Sequence, residues 1–202
     1  MIAGLLLAAG RSRRFGAGGD KLLALLRGRP VIRWSAESIA GAVDVLYVVT
    51  PPGAHELVRA LEDVEIVLVE HVGRDGGLGT SIGAGIAALD DEVDAVLVAL
   101  ADQPLVDRAL VSTLCEAWRA REGTVRAVAP VYRDGRGHPV VFSRSCFDEL
   151  SALHGDSGAR ALLDAMAASA ELLLVAVDAD APRDVDTPEM LAALERGSSV
   201  AR

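Results

Sequence analysis

Apolar positions along this chain follow two spacings that alternate from end to end. Ile2–Ala8, Val43–Thr50, Glu65–Val69 and Asp94–Leu100 are nearly unbroken runs of aliphatic residues, VDVLYVVT and DAVLVAL among them. Such runs, bounded by glycine, proline and charge, read as strands covered on both faces. Between them, Pro30–Ala42, Gly53–Leu61, Thr80–Leu89 and Asp107–Arg121 space their apolar residues as helices do. Pro30 falls in the first turn of its helix, where a missing N–H is tolerated. Pro51-Pro52 closes the second strand. Strand and helix in strict alternation predict an α/β fold with a doubly wound, mostly parallel central sheet.

The second half is less regular. Arg126–Tyr132 and Pro139–Phe142 read as strands joined through DGRG, a hairpin inside the otherwise parallel plan. Helices are expected near Cys146–Ala152 and over Gly158–Ala168, then a late strand at Leu172–Val177. A closing helix spans Thr187–Glu195, and its Thr187-Pro188 start is a cap signature. With no linker and no internal repeat, residues 1–197 are expected to form one domain, with 198–202 a disordered tail.

Composition narrows the class. At 202 residues and 51% hydrophobic, the chain is long enough for one substantial core and too apolar for disorder. Cys115 and Cys146 form neither a disulfide framework nor a CxxC pair, which fits a reducing cytoplasm and a structural role for both. No positive charge precedes the apolar N-terminus and arginines follow it at once, the reverse of an export signal. No apolar run approaches the ~20 residues of a membrane helix. The expected protein is cytoplasmic and has no membrane partner.

Charge changes the picture more. The formal net charge of −9 argues against nucleic acid as a partner. Residues 1–33 nevertheless hold seven basic groups against the single acid Asp20, a +6 island that leaves −15 for the remainder. A small anionic ligand fits that island; an ordinary solvated basic face is the plainer reading. The chain has 19 arginines but only one lysine, Lys21, which suggests a position that wants a compact ammonium. Lys21 closes the stretch LAAGRSRRFGAGGDK, which follows the first strand directly. Glycines there let backbone N–H groups turn toward phosphate oxygens while basic side chains neutralise them. The stretch is neither GxGxxG nor GxxxxGK[ST], so dinucleotide and P-loop fingerprints are both missing.

Ala8-Ala9-Gly10-x-Ser12-x-Arg14-x-Gly16, followed by Lys21, resembles the signature loop of the MobA-like nucleotidyltransferases. Further segments match in order: GLGTSIGAGI at Gly77–Ile86, LADQP at Leu100–Pro104, GRGHPVVF at Gly135–Phe142, HGDSGAR at His154–Arg160 and DVDTPEM at Asp184–Met190. Together they span nearly the whole chain. The resemblance implies the three-layer, Rossmann-like nucleotide-diphospho-sugar transferase fold. LAAG in place of LAGG, with LxDQP and GHPV, is similar to the molybdenum cofactor cytidylyltransferases. Ala101 stands where glycine is common, Gly79-Thr80 replaces a more serine-rich stretch, and GAGGD before Lys21 is extra.

On that resemblance the chain is expected to move a cytidylyl group from CTP to the terminal phosphate of molybdopterin, or its molybdenum-loaded form, with Mg²⁺ as cofactor and release of pyrophosphate. A molybdoenzyme or its chaperone is the implied receiving partner. Leu7, Ala8, Ala9, Gly10, Arg11, Ser12 and Lys21 would line the nucleotide, and Gly79, Ser81 and Gly85 its base and ribose. Lys21 and Arg14 would hold the triphosphate, and Arg13 would face solvent. Asp102 follows an apolar strand at its C-terminal end, where ligands of open α/β sheets gather; it and Asp186 are the candidate metal ligands, with Asp184 a weaker second. Each of these aspartates has a plainer reading, a turn or a solvated acidic loop. Likewise Ser81 could simply cap a helix. His138 and Arg160 are the candidate acceptor contacts, and a buried structural histidine is the plainer reading of His138. Other readings stay open: the same transfer to a sugar or polyol phosphate or with GTP, an oxidoreductase, and a non-catalytic maturation chaperone.

Overall fold

Every expected strand and helix forms, most with slightly different ends, and the topology follows from which runs are apolar throughout. In chain order the elements are β1 (Ile2–Leu7), β2 (Leu25–Leu26), β3 (Arg29–Pro30), α1 (Val31–Ala40), β4 (Val45–Thr50), α2 (His55–Ala60), β5 (Val67–Glu70), α3 (Gly77–Ala87), β6 (Ala95–Leu100), α4 (Arg108–Arg119), β7 (Ala127–Tyr132), β8 (Gly135–Arg136), β9 (Val140–Ser143), α5 (Phe147–Ser151), α6 (Arg160–Ala168), β10 (Leu172–Ala176) and α7 (Pro188–Gly197). This computed structural model describes residues 1–10, 15, 19–73, 77–156 and 158–197. The expected tail therefore lies outside the described residues.

The main sheet has the order β10-β7-β9-β6-β1-β4-β5, with β8 paired to β7. β1 lies between β4 and β6 and is parallel to both; β4–β5 and β10–β7 are parallel as well. β9 runs antiparallel between β6 and β7, so the expected hairpin is inserted into the sheet itself. The central strand β1 is buried at all six positions, as its unbroken apolar run requires.

Successive residues of β1 point to opposite faces. Leu6 packs with Ile39, Leu114 and Trp118 under α1 and α4, whereas Leu5 packs with Ile82, Phe142 and Leu150 under α3 and α5. Two helical layers thus sandwich one sheet, the α/β architecture expected. The parallel strands β1, β4 and β6 end side by side, and the segments leaving them share one edge of the sheet.

Local chemistry sets the helix ends. Asp107 caps α4 by accepting from the Leu110 N–H at 2.8 Å, and the Thr187 hydroxyl accepts from the Met190 N–H at 3.3 Å at the start of α7. α1 begins one residue later than expected, because Pro30 pairs in the short β2–β3 ribbon and serves as the helix N-cap. That ribbon is two residues per strand, too short for any periodicity to reveal. The helix expected near Cys146–Ala152 is divided: a 3₁₀ turn at Arg144–Cys146 leads into α5.

Candidate active site

The edge of the sheet where β1 and β6 end is pinned by three hydrogen bonds. The Ala101 N–H donates to the Leu7 carbonyl at 3.2 Å, tying the turn after β6 to the end of β1. The Ser35 hydroxyl, buried on α1, donates to the Ala101 carbonyl at 3.0 Å. The Val185 N–H donates to the Asp102 carbonyl at 2.8 Å, which lays the segment before α7 alongside the LADQP turn. Asp102 and Asp186, distant in sequence, therefore stand side by side.

Lys21 arrives from the third direction. The Asp20 carboxylate accepts from the Leu22 N–H at 3.0 Å, and the Asp20 carbonyl accepts from the Leu23 N–H at 3.0 Å. Leu22 is buried in the core, so this tight turn drives the lysine stem inward, and Lys21 is only 8% exposed. Its ammonium donates to Asp102 Oδ2 at 2.5 Å and to Asp186 Oδ1 at 2.9 Å. Burial by itself would lower the pKa of Lys21; the neighbouring charges and hydrogen bonds of Asp102, then Asp186, outweigh it, and the pKa is raised. The only lysine in the chain is thus held between the two candidate metal ligands.

Asp184 is placed differently. Its carboxylate accepts from Gln103 Nε2 at 2.8 Å. Burial pushes its pKa up, and the like charges of Asp102 and Asp186 push it further against the Gln103 hydrogen bond. Gln103 stands within LADQP, and its only signal in the sequence is its place beside Asp102. Among the described residues no three His, Cys, Asp or Glu side chains gather as a cage for a metal ion. The two carboxylates on Lys21 form a partial set of hard oxygen donors, of the kind that suits a divalent cation completing its shell with water and phosphate oxygens.

The other sequence candidates separate into three groups. Arg11, Ser12 and Arg14 lie outside the described residues. Leu7, Ala8 and Ala9 are buried in the core, so only their backbone can face a ligand, whereas Gly10 is exposed and a Cβ there would meet no described atom within 4 Å. On α3, Ser81 lies inside the helix and is buried, which rules out the plain N-cap. Gly79 and Gly85 are places of close approach. A Cβ on Gly79 would stand 2.7 Å from the His154 backbone nitrogen, and one on Gly85 would stand 2.4 Å from a methyl carbon of Leu5. Gly85 therefore lets α3 rest on β1.

His138 and Arg160 line one cleft of about 580 Å³, together with Arg136, Asp164 and an apolar floor that includes Val140 and Phe142. Arg136 pairs with Asp164 across it. Burial lowers the pKa of His138, against its hydrogen bond to the Val98 backbone and the charges of Asp184 and Asp102. The imidazole is therefore neutral near pH 7, with Nδ1 buried and unpartnered among the described residues. Its carbonyl accepts from the Tyr132 hydroxyl at 2.8 Å.

Residues 4–183 match the family described as MobA-like NTP transferase domain. Purine catabolism protein PucB of Bacillus subtilis is 30% identical over 98% of this chain and 98% of its own. Nicotine blue oxidoreductase of Paenarthrobacter nicotinovorans is 31% identical over 94% of each. The bifunctional enzyme IspD/IspF of Gluconobacter oxydans is 36% identical over 64% of this chain, which spans only 35% of that enzyme's length. Two partial relatives carry nucleotide names. The 2-C-methyl-D-erythritol 4-phosphate cytidylyltransferase of Streptomyces avermitilis is 32% identical over 69% of this chain and 62% of its own. A probable molybdenum cofactor guanylyltransferase of Haloferax mediterranei is 33% identical over 63% and 60%. Among solved structures, Rv0371c from Mycobacterium tuberculosis superposes with a TM-score of 0.81 at 31% identity, covering 96% of this chain and 97% of that one. Its manganese complex superposes with a TM-score of 0.77 at 29% identity, covering 96% and 98%.

Proposed function

The chain belongs to the MobA-like NTP transferase family and is a nucleotidyltransferase, and from that premise we propose that it transfers a cytidylyl group from CTP to the terminal phosphate of molybdopterin. The observation that carries the reading is the convergence of Lys21, Asp102 and Asp186 at the edge where β1 and β6 end. In open α/β sheets this is the edge at which ligands bind.

In the proposed reaction an acceptor phosphate oxygen attacks the α-phosphorus of CTP in line. A new P–O–P link forms, the bond to the β-phosphate breaks, and pyrophosphate leaves. The acceptor phosphate is ionised near neutral pH, so no side chain has to remove a proton. Catalysis then rests on positioning and charge. Lys21, with Arg14 and Arg11 from the glycine-rich loop, would hold the departing phosphates, and the backbone of Ala8–Gly10 would cradle them. Asp102 and Asp186 would hold Mg²⁺, which when bound neutralises charge that develops on the phosphates. The nearness of the manganese complex of Rv0371c supports a divalent ion in this role. Ser81 and the Gly79 backbone are assigned to the nucleotide, and His138 and Arg160 to the acceptor, through the cleft that they share.

The choice of CTP rests on LAAG at Leu7–Gly10, and the choice of molybdopterin on the family resemblance together with the molybdenum cofactor relative. Thermal unfolding with each of the four nucleoside triphosphates and Mg²⁺ tests the base: CTP should give the largest upward shift, and a clear preference for GTP would overturn that assignment. Pyrophosphate release with molybdopterin set beside sugar and polyol phosphates tests the acceptor. A second reading, oxidoreductase, is raised by the nicotine blue relative. The chain carries neither GxGxxG nor a CxxC pair to support it.

A further inference from the structure

The two carboxylates assigned to the metal are already occupied by a cation that belongs to the chain. Lys21 Nζ lies within hydrogen-bond distance of both Asp102 Oδ2 and Asp186 Oδ1. These are charge-assisted contacts of the short, strong kind. A divalent ion drawn to the same two oxygens would compete with the ammonium for them.

We propose that Lys21 is an internal counter-ion that keeps the site closed to a bare divalent ion, and that the site accepts metal and nucleotide as one metal–nucleoside triphosphate ligand. The proposal rests on the nucleotidyl-transfer reading above. A free ion has to break both lysine contacts and offers the displaced ammonium nothing in return. A triphosphate brings new anionic oxygens for that ammonium, so the lysine exchanges carboxylate for phosphate while the ion exchanges water for carboxylate. Charge is matched throughout: the buried pair of carboxylates always faces a cation, and the lysine always faces an anion.

The geometry suits such an exchange. Lys21 is anchored through its stem and the buried Leu22 behind it, not through a rigid head. The long stem lets Nζ swing while the Asp20 turn stays in place. The backbone that carries the carboxylates is held in place: the Asp102 carbonyl by the Val185 N–H, and the segment 184–186 by the Gln103–Asp184 hydrogen bond as well.

Coupling between two ligands is reciprocal, so a nucleotide that frees the carboxylates must raise metal affinity by the same factor by which metal raises nucleotide affinity. The test is Mn²⁺ binding, read by electron paramagnetic resonance of the free ion and by calorimetry, with and without a non-hydrolysable CTP analogue. Wild type should bind Mn²⁺ alone weakly and at least about tenfold more tightly with the analogue. Lys21→Met, which keeps the stem and removes the ammonium, should bind Mn²⁺ alone about tenfold more tightly than wild type, with a smaller gain from the analogue. Lys21→Gln provides the same comparison if the methionine variant fails to fold. Equal Mn²⁺ affinity in wild type and the folded variant overturns the proposal. So does wild type that binds Mn²⁺ as tightly without the analogue as with it, a result that needs no variant at all. If no nucleoside triphosphate binds under any condition, the nucleotidyl-transfer reading itself falls; nucleotide binding and turnover by wild type, with Mn²⁺ affinity unchanged in the variant, removes only the exchange.

Discussion

Replacing Lys21 by methionine should destabilise the fold far more than replacing Asp102 by asparagine, although both remove one member of the same cluster. The reason is arithmetic of charge: among the described residues, two carboxylates share one ammonium. The oxygens that Lys21 holds lie 2.5 and 2.9 Å from Nζ, so they are no more than about 5.4 Å apart. Without the ammonium, like charges at that separation repel by about 3 kcal/mol at an effective dielectric constant of about 20. The two carboxylate side chains are each only 20% exposed, so water screens little of it. Lys21→Met should therefore lose about 2–3 kcal/mol. Asp102→Asn leaves Lys21 paired with Asp186 and removes the repulsion, so its stability should stay within about 1 kcal/mol of wild type. Its turnover should nonetheless fall by orders of magnitude, because a ligand to the divalent ion is lost. Urea unfolding at pH 7.5 without added metal, beside a pyrophosphate-release assay, measures both quantities. If Asp102→Asn unfolds more readily than Lys21→Met, the carboxylate is a structural cap and the charge reasoning fails.

Two further expectations follow from buried groups elsewhere in the site. His138 has a pKa lowered chiefly by burial, so the unfolded chain takes up a proton near pH 6.5 that the folded chain resists. The stability this contributes is present above about pH 6.5 and lost as the pH falls through the folded pKa; His138→Gln should lose less stability than wild type between pH 7.5 and 5.5, and equal losses in urea midpoints would contradict it. Gly79→Ala gains about 1 kcal/mol of helix propensity, but its Cβ would meet the backbone of Leu153 and His154 at 2.8 and 2.7 Å, where neither side chain rotation nor flexibility can relieve it. A net loss of about 1–2 kcal/mol in thermal unfolding is expected; a stabilised variant that binds nucleotide poorly would mean that Gly79 serves the ligand alone.

Much of the fold was legible in local pattern. Unbroken apolar runs such as DAVLVAL identified strands covered on both faces, and Asp94–Leu100 indeed lies inside the sheet as β6. Thr187-Pro188 announced a helix start through chemistry that acts within one turn. The β2–β3 ribbon escaped notice because two residues carry no period, and the 3₁₀ turn before α5 because apolar spacing does not distinguish it from α-helix.

The candidate site divides along the same line. Sequence alone singled out Lys21, through its solitude and its place after a glycine-rich loop, and put Asp102 at the end of a buried strand. It ranked Asp186 above Asp184 only through the family resemblance, because both sit in one short acidic loop with the same local chemistry. Which of them meets Lys21 is decided by contacts between segments far apart in the chain. The Val185 N–H reaches the Asp102 carbonyl, Gln103 takes Asp184, and Asp186 is left to share the ammonium with Asp102. Likewise Gly85, a ligand glycine by resemblance, is the point where α3 rests on Leu5, a contact no sequence pattern shows. Periodicity and capping are decided by neighbours within a few residues, so sequence carries them; which charge meets which is decided by strand order and backbone pairing, which exist only once the sheet has assembled.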